Sequence, residues 1–229
     1  MAHDLDAIVG LAKGRPVILL GHSIGGMIGL TYSRLFPQAL GSRVSGLILV
    51  HTTYTNPVKT TAWGGFYSAI QKPVLEPLCY VMIGLAPLVW AMNWLSYLNG
   101  SMHRSTDRSS FSSNETREQL DLASRFGPKA WPGVIARGML AMFRYDSTAT
   151  LPTIGVPTLV IAGDQDDMTK PEASATMAQV IPGATIHRLS PAKHMGHMEH
   201  HREFVTTIER FIAENVEKKN KAFAGKRGQ

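Results

Sequence analysis

Ser23, Asp166 and His194 follow one another along the chain, and residues of these three types can together activate a hydroxyl. A serine hydroxyl is a poor nucleophile until a base takes its proton. An imidazole does this well, and a carboxylate must then hold the ring and stabilise its charge. Ser23 stands in Gly21-His22-Ser23-Ile24-Gly25, directly after the apolar run Pro16-Val-Ile-Leu-Leu20. That pattern reads as a strand, a sharp turn with serine at its apex, and a helix. The turn needs small flanking residues, because its backbone is strained and the helix must pack closely on the strand. The glycines at both flanks are expected to supply that room. The helix N-terminus behind the serine favours negative charge nearby.

The acid is sought in Gly163-Asp164-Gln165-Asp166-Asp167, which follows another apolar run. Only one of these aspartates can face the histidine. The spacing to Thr169 and Pro171 favours Asp166, leaving Asp164 or Asp167 solvated or capping the next helix. No acid follows the run Val44–Val50, where His51-Thr52-Thr53 stands. The base is expected at His194, in Pro191-Ala-Lys-His194-Met-Gly-His197-Met-Glu199. His197, His200 and His201 crowd close to it, which raises the question of a metal. The usual zinc spacings with a glutamate between histidines are missing and no cysteine is near, so neither metal nor cofactor is expected. These histidines and Glu199 read as polar groups opening the last helix. His22 is expected to orient neighbouring backbone and to border the substrate.

The elements that must position these residues can be read from apolar periodicity. Leu5, Ile8, Val9 and Leu11 have helical spacing and end at Gly14. Pro16–Leu20 reads as a strand buried on both faces of a parallel sheet. A helix to about Phe36 follows, then strands at Val44–Val50, Pro157–Ala162 and Ala184–Leu189. Helices are expected at Pro171–Val180 and around Phe204–Ile212. Strand–helix–strand order of this kind argues for a parallel α/β sheet. The core is expected at residues 1–53 and 151–216, with a helical cap or lid at 54–150 between the second and third strands. From Pro77 to Met102 the cap holds no Asp, Glu, Lys or Arg. Its length would suit a membrane span, but Gly84, Pro87, Asn93, Ser96 and Asn99 break it into shorter helices. Cap helices packing on the core are expected to line an apolar substrate pocket, with Trp90 and Trp94 among the lining residues. Weak contact with a membrane surface is a further expectation.

The chain's 229 residues suffice for one sizeable domain, and 44% are apolar. Net charge is +6, part of it in the tail 217–229, which reads as solvated. No nucleic-acid motif is present. The single cysteine, Cys79, excludes an intrachain disulfide and reads as a small core residue. The N-terminus has no basic segment followed by a long apolar one, so a cytoplasmic location is expected.

Gly21-His-Ser-Ile-Gly25, Gly163-Asp-Gln-Asp166 and Ala192-Lys-His194 resemble the three signature segments of the α/β-hydrolase superfamily, with its esterases and lipases. The resemblance covers the chain from first helix to last, apart from the cap. It implies a parallel-sheet α/β fold, with Ser23 as nucleophile, Asp166 as acid, His194 as base and the Ile24 amide as an oxyanion donor. The serine argues against the dehalogenase and epoxide-hydrolase branches, which use aspartate there. The superfamily's sheet normally has about eight strands, with the serine after the fifth. The pattern here therefore lacks four strands at its N-terminal side, and with them the His-Gly stretch that supplies a second oxyanion donor. Such a loss can lower a rate by about two to three orders of magnitude. It would also leave Pro16–Leu20 as an exposed edge strand. A start at an internal methionine of a longer protein is the favoured explanation, ahead of a fragment or an edge-covering partner or oligomer. Two functions follow. One is hydrolysis of a carboxylic ester with an apolar moiety through an acyl-enzyme, with amide, thioester or C–C cleavage by the same triad left open. The other is a partial hydrolase fold acting as a binding or scaffold module.

Overall fold

The computed structural model describes residues 1–217. The expected basic tail thus lies outside the described residues from 218 onward. Four parallel strands form one sheet in the order β1 (Val17–His22), β2 (Val44–Val50), β3 (Thr158–Gly163) and β4 (Thr185–Leu189). Helix α1 (Ala2–Gly10) precedes β1, and α2 (Ile24–Leu35) links β1 to β2. Between β2 and β3 lie eight helices: α3 (Pro57–Thr60), α4 (Gly64–Ile70), α5 (Glu76–Gly84), α6 (Ala86–Leu98), α7 (Ser101–Ser110), α8 (Arg117–Ser124), α9 (Phe126–Lys129) and α10 (Pro132–Met142). Then follow α11 (Pro171–Val180), the single turn α12 (Gly196–Glu199) and α13 (His201–Phe211).

Alternation along the strands divides the core into two layers. Leu47, Leu49 and Val160 face Leu30, Tyr32, Met177 and Ile181 on the side of α1, α2 and α11. Ile48, Val50, Leu159 and Ile161 face the other way, onto Leu189, Phe211 and Ile208. Leu47 to Val50 are each at most 1% exposed, so the run is apolar because both faces are covered. Composition alone reads Pro16–Leu20 as buried on both faces, while the count of strands reads it as an exposed edge, and the structure agrees with the second. β1 is the edge of the described sheet, and Leu20 is 49% exposed.

The registers align the carboxyl ends of the strands. His22 sits opposite Val50, Val50 opposite Ile161, and Gly163 opposite Leu189. Residues 23, 51–52, 164–166 and 190–194 therefore leave the sheet at one end, the crevice where α/β folds bind ligands.

The cap has an apolar core of its own. Cys79 is buried with Val58, Ala136 and Phe143, and Met82 and Ile83 of α5 and Met139 of α10 pack against them. Helices α5 and α6 are apolar on their outer sides as well. Leu78, Val81 and Leu85 are exposed on α5, and Leu88, Met92 and Leu95 on α6. Their spacing places each trio on one helical stripe. No single described helix is long and apolar enough to cross a membrane. The pair Gly64–Gly84 and Ala86–Leu98, bent by 92°, passes on length and composition together.

Candidate active site

Ser23 occupies the turn between β1 and α2 with φ 52° and ψ −121°, backbone that costs a non-glycine residue roughly 1–3 kcal/mol. The turn is held from β2. Ser23 N–H donates to the Val50 carbonyl at 2.9 Å, and Thr52 Oγ donates to the Ser23 carbonyl at 2.6 Å. Gly21 is required there: a Cβ would lie 2.3 Å from the Gly25 carbonyl carbon. The second close approach is at Gly26, where a Cβ would lie 2.5 Å from the Thr52 side chain. At Gly25 nothing lies within 4 Å of a Cβ, so the glycine need read at the far flank belongs one residue later. The Ile24 amide is the first of α2, an N–H the helix itself leaves free.

His194 bridges the serine and the acid. Its Nε2 lies 3.0 Å from Ser23 Oγ, and its Nδ1 lies 2.9 Å from Asp166 Oδ2. A carboxylate can only accept here, so Nδ1 carries the proton and Nε2 is free to take the serine's. Asp166 and His194 are 1% and 7% exposed, and water competes little for these bonds. Asp166 Oδ1 accepts from the amides of Met168 and Thr169 at 2.9 and 3.0 Å, and its Oδ2 from Thr169 Oγ at 2.9 Å. Burial pushes the Asp166 carboxyl up, but the bonds from His194 and Thr169 and the nearby His51 ring outweigh it and hold the group well below the usual carboxylate range.

The other two aspartates also have work to do. Asp164, read as solvated or capping, accepts from Ser190 Oγ at 2.6 Å and from the Ala192 amide at 2.9 Å. It thereby anchors the loop that carries His194. The Asp167 carbonyl accepts from Thr61 Oγ and the Ala62 amide, tying the cap to the acid turn. Glu199 ties the cap to the base loop, with Oε1 accepting from Ser112 N, Ser112 Oγ and Asn114 N at 2.9, 2.8 and 3.1 Å.

His22 lies against the loop that carries His194. Its Nε2–H donates to the His194 carbonyl at 3.0 Å, and its ring packs 4.4 Å from that of His197. Burial, with the nearby His194, pushes His22 down to about 4, and burial with His22 and His51 pushes His197 down to about 3. Trp90 and Trp94 lie in a cap cluster with Trp131 and Tyr97, with ring centroids 6.0–6.3 Å apart. An apolar cavity beside Ile24 is lined by Met1 and Ala2, by Ile24, Met27, Ile28 and Thr31 of α2, and by Gly138, Ala141, Met142 and Tyr145 at and just after the end of α10; Ser23 and His194 do not line it. Its volume is about 150 Å³. Among the described residues no group of three His, Cys, Asp or Glu side chains is arranged to hold a metal ion. The residue that sequence reasoning passed over is His51, wholly buried with Nδ1 3.4 Å from Asp166 Oδ2. The available signal was its place at the carboxyl end of β2.

The α/β-hydrolase-fold family model matches residues 1–201. The chain belongs to the α/β-hydrolase family. This hydrolase is 24% identical over 201 residues to the pimeloyl-[acyl-carrier protein] methyl ester esterase of Stenotrophomonas maltophilia strain K279a, covering 86% of this chain and 70% of that protein. It is 33% identical over 76 residues to the polyketide synthase ThaQ of Burkholderia thailandensis, which is 33% of this chain but only 4% of that protein. Among solved structures, an esterase from Exiguobacterium antarcticum superposes with a TM-score of 0.70 at 21% identity, over 93% of this chain and 73% of that one. An esterase from Thermogutta terrifontis gives the same TM-score at 22% identity, over 93% and 71%. These two likenesses concern the fold.

Proposed function

We propose that this hydrolase cleaves carboxylic esters bearing an apolar group through an acyl-enzyme on Ser23. The observation that carries the reading is the continuous Ser23–His194–Asp166 contact, 3.0 and 2.9 Å long, at the carboxyl end of the sheet. The Stenotrophomonas methyl ester esterase named above, matched over 86% of this chain, favours ester over amide, thioester or C–C substrates.

The chemistry follows from the proton positions. Ser23 Oγ attacks the ester carbonyl carbon while its proton passes to His194 Nε2. Asp166 stays ionised and stabilises the imidazolium. The carbonyl oxygen, now negative, faces the Ile24 N–H at the start of α2. The C–O bond to the alcohol breaks, and the departing oxygen takes the proton from Nε2. Water then gives a proton to Nε2 and attacks the acyl carbon. The acid leaves, and the proton returns to Ser23 Oγ.

The apolar cavity beside Ile24 supports an apolar acyl or alcohol part. A series of p-nitrophenyl esters of rising acyl length tests this. The expected result is kcat/KM that rises from acetate toward medium-chain esters, at about threefold per added methylene until the cavity fills. A profile that is flat or falls from acetate onward would sink the apolar-pocket reading.

A further inference from the structure

His51 is the most constrained side chain outside the three residues just assigned. It ends β2, and its own amide donates to the Ile161 carbonyl of β3 at 2.9 Å. Its φ is 43°, in the left-handed region that few non-glycine residues enter, histidine being among the more tolerant. Its side chain is 0% exposed, and neither ring nitrogen has a geometrically sound hydrogen bond among the described residues. A polar ring kept dry and so weakly partnered is costly. The fold nonetheless makes room for it on two sides. A Cβ at Gly163 would lie 2.9 Å from His51 Cε1, and one at Gly196 would lie 3.3 Å from it.

The ring has one carboxylate oxygen close to it, just outside hydrogen-bond geometry. Its Nδ1 lies 3.4 Å from Asp166 Oδ2, the oxygen that also accepts from His194 and from Thr169 Oγ. The ionisable groups around it are Asp166 and Glu199, which favour a charged ring, and His194, which opposes one. The His22 and His197 ring centroids each lie 5.9 Å from that of His51. Burial outweighs the carboxylates and pushes His51 down from the usual histidine range, so the ring is neutral. The next residue, Thr52, holds the Ser23 carbonyl. The turn after β2 therefore touches both ends of the Ser–His–Asp chain.

We infer that His51 is a positioning residue for the acid: its neutral ring turns Nδ1–H toward Asp166 Oδ2, orients that carboxylate and withdraws charge from it. The inference rests on the triad reading above. Its consequence is a sign. With His51 present, Asp166 has less negative charge to lend to His194, and the ring gives up its proton more readily. Without it, His194 holds its proton to higher pH, and the ascending limb of kcat/KM moves in the alkaline direction.

Two variants separate this from a packing role. His51→Asn keeps a donor near the Nδ1 position and tolerates positive φ. His51→Gly accepts the same backbone and removes the donor. The measurements are the pH profile of kcat/KM and a 15N NMR titration of the His194 ring, the second of which needs no turnover. The expected result is a limb and a His194 midpoint moved up by about half a unit or more in His51→Gly, with both brought back toward wild type in His51→Asn. A folded His51→Gly with neither moved, or equal shifts in both variants, would overturn the inference. Absence of esterase activity in wild type, with the NMR midpoints moving as expected, would fault the reaction and leave the positioning role standing.

Discussion

At the scale of single residues, the site is a set of proton positions fixed by acceptors. Asp166 can be picked out among its neighbours because Oδ1 takes the two amides of its own turn, which frees Oδ2 to face the ring. In the sequence this was legible only as spacing to Thr169. The amide pair that fixes the carboxylate is backbone and has no sequence signature. The account expects Asp166→Asn to keep the fold and to lower kcat/KM by about three to four orders of magnitude, because an amide cannot hold His194 in the required tautomer. Steady-state kinetics with a p-nitrophenyl ester measures this, and a loss under tenfold would contradict the assignment. His22 shows the opposite limit. Its neighbour in sequence is Ser23, but its bond is to the His194 carbonyl, 172 positions away, and no local pattern reveals that.

At the scale of elements, the elbow is a close approach between strand and helix, and its glycines differ in what they do. Gly21 has no space for a Cβ, and Gly26 abuts Thr52, while Gly25 is open. Gly21→Ala should destabilise by at least about 3 kcal/mol, since only backbone can move aside. Gly25→Ala should hold or gain up to about 1 kcal/mol through helix propensity. In a domain of this size these correspond to a melting point lowered by roughly 6–12 °C and one unchanged or slightly raised. Thermal melts followed by circular dichroism decide it, and equal losses in both variants would contradict the packing described. The strands themselves were legible to within a residue or two, because β2 and β3 are apolar on both faces. The exposure of Leu20 was legible only from the number of strands, since an edge and a centre strand of the same composition differ only in their neighbours. The cap's share of the cavity beside Ile24 was not legible: Trp90 and Trp94 stand out by type, whereas the residues lining it at the end of α10 are Gly138, Ala141 and Met142.

At the scale of the whole molecule, the histidines of the site couple folding to pH. His22 and His197 are pushed from 6.5 down to about 4 and about 3, and His51 is pushed down as well. The unfolded chain takes up protons on these rings as pH falls through about 6.5, while folded His22 and His197 do not until pH reaches about 4 and about 3. Stability is therefore expected to fall between pH 6.5 and 4, with two to three protons taken up on unfolding, or about 1.4 kcal/mol per pH unit per proton. Asp166 has the reverse character. Its stabilisation is present above its unfolded value of about 3.8 and is lost as pH falls below that. Denaturant midpoints measured from pH 7.5 to 4 test this; a flat profile down to pH 4.5 would show that the rings are not buried neutral.

The central claim is that Ser23 is an activated nucleophile, and covalent capture tests it most directly. Folded protein is incubated with a fluorophosphonate, and the modified peptide is located by mass spectrometry. One adduct is expected, on the peptide carrying Ser23, absent from Ser23→Ala and formed far more slowly in His194→Ala. Folded wild type left unmodified, or an equal adduct in Ser23→Ala, would contradict it.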